Sequence, residues 1–226
     1  MSKRWDVLGI GSAAVDDLLY VESFPRPDVK MPIKDRRRQG GGLTATALVA
    51  AARLGAKSAY CGRLGEDELS LFTIHELERE VVDCTPVQRV PGARPFHSVV
   101  IVDVSGGSRT ILVSTDGVKE PDTDQITENL VLASKVLFID YFASQSGIKA
   151  ARLAHAHGIP VVADIELMAV SYLDEFICHV DHLIIVKALG IQLTGKTNPD
   201  DKIISIINSV FNSLSYESSS TIDIIS

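Results

Sequence analysis

The chain is predicted to fold as an α/β protein, a doubly wound, mostly parallel sheet from which a small β-sheet projects as a lid. Three observations lead to this. Short apolar runs rich in β-branched residues alternate with amphipathic segments along most of the 226 residues, the pattern of buried parallel strands joined by crossover helices. Two stretches, about 13–38 and 94–115, break the alternation and read as extended hairpins. Between them Gly40-Gly41-Gly42 opens directly into an alanine-rich segment that stops at Gly55, so backbone without side chains meets the free N–H groups of a helix start.

In chain order, Val7-Leu8-Gly9-Ile10 is the first buried strand. Leu18-Leu19-Tyr20-Val21 and Met31-Pro32-Ile33-Lys34 then flank the turn-rich Phe24-Pro25-Arg26-Pro27-Asp28 and make the first hairpin. Residues 43–54 form a helix in which Ala45, Ala47, Ala50 and Ala51 leave little bulk against its neighbours. A strand at 58–61 and a helix at 67–80 follow. The second hairpin pairs Ser98-Val99-Val100-Ile101-Val102 with Thr110-Ile111-Leu112-Val113 across the turn Ser105-Gly106-Gly107-Ser108. Helices at 122–132, 144–157 and 170–180 then alternate with strands at 136–139, 159–163 and 182–186. In the helix at 144–157, Ile148, Ala151, Leu153 and Ala154 form an apolar stripe, and Gly158 marks its stop. A last helix is expected at 199–214, with Asn198 as N-cap and Pro199 in its first position. The α/β domain therefore covers 1–195, and 196–226 reads as a divergent helix followed by a Ser/Ile-rich tail.

Composition narrows the function. A net charge of -7 argues against a general nucleic-acid binder, and Arg36-Arg37-Arg38 reads as a solvated strand edge. No segment has the length of a membrane span, and the N-terminal residues do not form a secretory leader. Cys61, Cys84 and Cys178 are odd in number and widely spaced, which predicts free thiols in the cytoplasm and no zinc site. The glycine run predicts a small-molecule pocket. A second reading of the N-terminus stays open: Gly9-x-Gly11-x-x-Ala14 after a strand, with Asp35 downstream, fits a loose dinucleotide fingerprint and the alternative of an NAD(P)-dependent oxidoreductase. That reading requires a long helix from residue 15, where Pro25 and Pro27 intervene.

Several motifs in order resemble the ribokinase-like (PfkB-type) carbohydrate kinases. They are Gly9-Ile10-Gly11-Ser12-Ala13-Ala14-Val15-Asp16, the turn Phe24-Pro25-Arg26-Pro27, the pair Gly41-Gly42 with its helix, Arg53-Leu54-Gly55-Ala56, Gly62-Arg63-Leu64-Gly65-Glu66-Asp67, Asp164 after a strand, and Leu193-Thr194-Gly195. The resemblance implies ATP-dependent transfer of a phosphoryl group to a sugar or nucleoside hydroxyl, with Mg²⁺ as a further requirement. It also implies substrate binding by Asp16, whose carboxylate accepts hydrogen bonds from hydroxyls, and by the backbone at Gly41 and Gly42. Thr46 stands where the family usually carries asparagine, so one hydroxyl replaces a paired donor and acceptor. Asp17 is expected to be solvated. Dimerisation through the lid sheet, as in relatives, is a further implication.

Two family features are missing from the sequence. Where the family has an Asn-x-x-Glu element, this chain has Val186-Lys187-Ala188-Leu189, with no carboxylate to hold hydrated Mg²⁺. The Asp-Thr-x-Gly-x-Gly-Asp signature, which supplies the anion hole and catalytic aspartate, is absent, and Gly195 is the last glycine. The expectation is a ribokinase-like chain that lacks the C-terminal part of the fold. It has no catalytic residue of its own and absent or weak kinase activity. The alternative is a non-catalytic sugar-binding or regulatory protein.

Overall fold

A computed structural model of the chain describes residues 3–166, 170–195, 198 and 221–225. Its main sheet has six parallel strands in the order β12-β11-β10-β9-β1-β4. These are β1 (Trp5–Ile10), β4 (Ser58–Cys61), β9 (Ser134–Asp140), β10 (Val161–Ile165), β11 (His182–Val186) and β12 (Thr221–Ile225). Helices cover both faces. On one side α1 (Leu43–Arg53) and α2 (Glu68–Arg79) enclose Ala45, Leu48, Tyr60, Leu64 and Leu77. On the other, α3 (Glu128–Leu132), α4 (Ser144–Ala156) and α5 (Val170–Ile177) pack on Leu8, Ile10, Leu137, Ile139 and Ile165. All these strand residues are essentially inaccessible to water, which is why the apolar runs were legible as central strands. A short helix, α6 (Lys187–Thr194), leaves the end of β11 and stops at Gly195, whose φ of 67° is left-handed.

The two hairpins join into one four-stranded sheet of order β3-β2-β7-β8. Its strands are β2 (Ala14–Val21), β3 (Asp35–Gly41), β7 (Phe96–Asp103) and β8 (Ser108–Ser114). Both hairpins are antiparallel, but β2 and β7 pair in parallel at its centre. A small parallel pair, β5 (Arg63–Leu64) and β6 (Gln88–Arg89), completes the structure.

Four sequence expectations need correction. The second strand of the first hairpin is not Met31-Pro32-Ile33-Lys34 but Asp35–Gly41, because the ladder opens only where Lys34 N donates to Tyr20 O at 2.8 Å. Pro32 has no N–H to contribute, and two of the three glycines consequently lie inside a strand. The segment 122–132 is not one helix: a 3₁₀ turn at Thr123–Gln125 capped by Asp122 is followed by α3, which Thr127 caps separately. Asp17 is buried rather than solvated, at 6% exposure. Within the expected tail, residues 221–225 form β12 and pair with β11. The helix expected at 199–214 lies outside the described residues.

Candidate functional site

The strand order reverses between β1 and β9: from β1 the chain steps outward to β4, and later returns to β9 on the other side of β1. The carboxyl ends of these two strands face the crevice where open α/β sheets bind ligands. The four-stranded sheet is attached at the same place, since only three residues separate β1 from β2 and only Gly42 separates β3 from α1.

Asp16 lies on β2, paired with Gln39 of β3 and Ser98 of β7. Its carboxylate is half-buried and accepts no hydrogen bond from any described residue. Gly41 adjoins it: a Cβ built on Gly41 would stand 2.4 Å from Asp16 Oδ2, closer than any real side chain tolerates. Gly42 is the N-cap of α1 at φ 91° and ψ 142°, a conformation open in practice only to glycine. The structure thus brings Asp16, Gly41 and Gly42 together. Thr46 stands one turn further into α1, exposed, with its N–H on Gly42 O at 2.9 Å. It lines a cleft of about 270 Å³ between α1, α2 and β3, together with Gln39, Gly41, Arg53 and Glu76. Gly41 is the shared wall between this cleft and Asp16.

Neighbouring carboxylates have other tasks. Asp17 points to the opposite face of β2, where Arg38 grips both its oxygens at 2.8 Å and His97 Nε2 lies 2.9 Å away. Hydrogen bonding from Arg38, and secondarily from His97, holds this carboxyl far below the usual range against the opposing effect of burial. Arg38 also donates to Glu68 at the start of α2, so the small sheet is tied to the body. Asp67 caps α2 by accepting from Leu69 N and Ser70 N, which gives its motif a structural role.

Asp140 and Asp164 lie side by side on β9 and β10. Burial first, then the charges of Glu166 and Asp140, pushes Asp164 up to about 6. Asp140, fully buried, accepts from Ser12 and Thr44. The sequence reading missed it because the two side chains that engage it, Ser12 and Thr44, are 128 and 96 positions away. Cys61 and Cys84 are pushed up to about 12 by burial and are poor nucleophiles.

The residues at the end of β11, Val186-Lys187-Ala188-Leu189, offer no carboxylate to a hydrated Mg²⁺. Exposed Lys187 opens α6 there, and no group of three His, Cys, Asp or Glu among the described residues can hold a metal ion. A dinucleotide fold would require a helix after Gly11, whereas strand β2 follows, and Asp35 begins β3 of the small sheet. No helix among the described residues is long and apolar enough to cross a membrane.

Known proteins resemble this chain over much of its length. Residues 6–209 match the family described as pfkB family carbohydrate kinase. A 5-dehydro-2-deoxygluconokinase of Clostridium perfringens is 23% identical over 175 residues, covering 73% of this chain and 50% of the relative. A ribokinase of Haemophilus influenzae is 26% identical over 157 residues, covering 68% and 51%. The chain therefore spans about half the length of the curated relatives it matches. The crystal structure of Arabidopsis thaliana ribokinase complexed with ribose and ATP superposes with a TM-score of 0.71 at 19% identity, over 92% of this chain and 68% of that one, and so shares its fold.

Proposed function

Since the chain belongs to the pfkB family of carbohydrate kinases, we propose that it binds the acceptor of a sugar kinase, a sugar or nucleoside, and that by itself it has absent or weak phosphoryl-transfer activity. One observation carries the reading: Asp16, a half-buried carboxylate without a partner among the described residues, lies against the backbone of Gly41 and Gly42 at the sheet's switch point. An ionised carboxylate offers lone pairs to neighbouring hydroxyls. Side-chain-free backbone at Gly41 and Gly42 admits a polyol to close range, and Thr46 adds one hydroxyl from the flank. The four-stranded sheet serves as a lid over this site.

ATP and Mg²⁺ belong to the family reaction, in which the nucleotide supplies the phosphoryl group. The end of β11 has no carboxylate for Mg²⁺, and the sequence has no Asp-Thr-x-Gly-x-Gly-Asp. Phosphoryl transfer rests on positioning and charge stabilisation, and losing one such donor set costs about 10²-fold or more. The proposal includes a cytoplasmic location and a homodimer through the lid sheet. Supporting the dimer, Ile111, Leu112 and Val113 on edge strand β8 are all more than half exposed.

The test uses ligand-induced thermal stabilisation with ribose, fructose, gluconate and adenosine, alongside an ATP-turnover assay. One or more of these should raise the melting temperature of the wild-type chain, Asp16→Ala should weaken that binding by about tenfold or more, as expected for losing a charged hydrogen bond, and turnover should be absent. Turnover within the ordinary kinase range of about 1–100 s⁻¹ would refute the catalytic half of the proposal. An Asp16→Ala variant that binds as the wild type does, or a panel without effect, would refute the binding half.

A further inference from the structure

We propose that Asp140 is a positioning residue that caps α1 from across the sheet and thereby fixes the Gly41-Gly42 backbone at the acceptor site, an inference that rests on the sugar-binding reading. Helix α1 has an unusual problem at its start. A helix leaves its first N–H groups without internal partners, and the residue before it normally answers with a Ser, Thr, Asp or Asn side chain. Here that position is Gly42, at φ 91°, so it has no side chain to offer.

The cap comes from elsewhere in the chain. Leu43 N donates to Ser12 Oγ at 3.2 Å, Thr44 N to Asp140 Oδ2 at 3.2 Å, and Ala45 N to Ser12 O at 3.2 Å. The same Asp140 oxygen accepts from Ser12 N at 2.8 Å, Ser12 Oγ at 2.6 Å and Thr44 Oγ1 at 2.8 Å, while its other oxygen accepts from Phe142 N at 3.0 Å. The carboxylate is 0% exposed. Such a charge survives burial only when donors replace its water, and no Lys, Arg or His among the described residues forms an ion pair with it. Its stabilisation therefore comes from these donors and from the helix start itself.

Space around the cluster is filled. A Cβ at Gly11 would lie 2.2 Å from Thr44 Oγ1 and 2.6 Å from the Asp140 carboxyl. The end of β1, the end of β9 and the start of α1 are thus locked to one atom. Gly42, directly before α1, and Gly41 inherit their position from that lock. Glycine is the least constrained of residues, so a paired-glycine entrance needs an external anchor to hold one geometry.

Hydrogen exchange by mass spectrometry tests this on the whole chain without any sugar. In Asp140→Asn and in the milder Thr44→Val, amides 42–46 should exchange about tenfold faster, the change made by losing one cap hydrogen bond. Helices α2 and α4 should exchange as in the wild type, and Thr44→Ser, which keeps the hydroxyl, should restore protection. Unchanged exchange at 42–46 in Thr44→Val, or an increase spread evenly over the chain, would overturn the proposal. In parallel, a sugar of the panel above that binds the wild type should bind Asp140→Asn about tenfold more weakly; equal binding with loosened amides would also overturn it. A panel inert toward wild type counts against the sugar reading, while exchange still decides the clamp.

Discussion

Two adjacent aspartates on β2 have opposite fates because a strand sends successive side chains to opposite faces. Asp16 keeps a carboxylate without a partner among the described residues, while Asp17 is held by Arg38 and His97. Arg38 keeps Glu68 and some water, so Asp17→Asn should cost the charged hydrogen bonds alone, about 1.5–3 kcal/mol in denaturant unfolding. Its folded value is depressed below the usual 3.8, so the ionised form stabilises the fold above that pH, and this contribution fades as pH falls below about 3.8 toward the lower folded value. Wild type should therefore show an acid-side loss of stability that the Asn variant lacks, and matching pH profiles would refute the assignment. Asp16 stood out in the sequence because it ends the motif Gly9-Ile10-Gly11-Ser12-Ala13-Ala14-Val15-Asp16, and the fold sets it against Gly41. Asp17 was misread and Asp140 passed over for one physical reason. The groups that settle a carboxylate's environment lie 21, 80, 96 and 128 positions away, and only the folded chain brings them close.

At the scale of elements, burial on both faces made the central strands easy to read, and amphipathic patterns made the helices so, with Gly158 marking the end of α4. Asp67, read in the sequence only as part of a motif, turns out to be the N-cap of α2, accepting from Leu69 N at 3.1 Å and Ser70 N at 3.3 Å. Asp67→Ala should accordingly lower stability by about 1–2 kcal/mol, seen as a drop of a few degrees in melting temperature; no change would mean that Ser70 and its neighbours cap the helix alone. Where the reading failed, two local signals competed. Asp122 and Thr127 each start an element, so one expected helix became two. Strand β3 is charged and glycine-bearing, and its exposure pattern lacks apolar alternation. It is an edge strand, and its place follows from pairing with β2 rather than from its own residues. The anchor of α1 is likewise invisible locally, because Gly42 removes the usual capping residue.

For the whole molecule, the switch point between β1 and β9 explains why the candidate site gathers where it does. The lid sheet leaves it from the same corner, with an apolar edge outward at β8 and an arginine-rich one at β3. Charge guards an edge against pairing, whereas exposed Ile, Leu and Val invite it. Sedimentation should therefore find a dimer that Leu112→Lys converts to monomer; a monomeric wild type would sink the proposed interface. The parallel pairing of β2 with β7 has a mechanical outcome as well. Residues 11–13, 42, 90–95 and 115–122 all carry the backbone between lid and body, so the lid hangs on four threads rather than one pivot. Two of these segments already carry prolines, Pro91 and Pro95 in one and Pro121 in another, and their fixed φ stiffens the connection between the small sheet and the body.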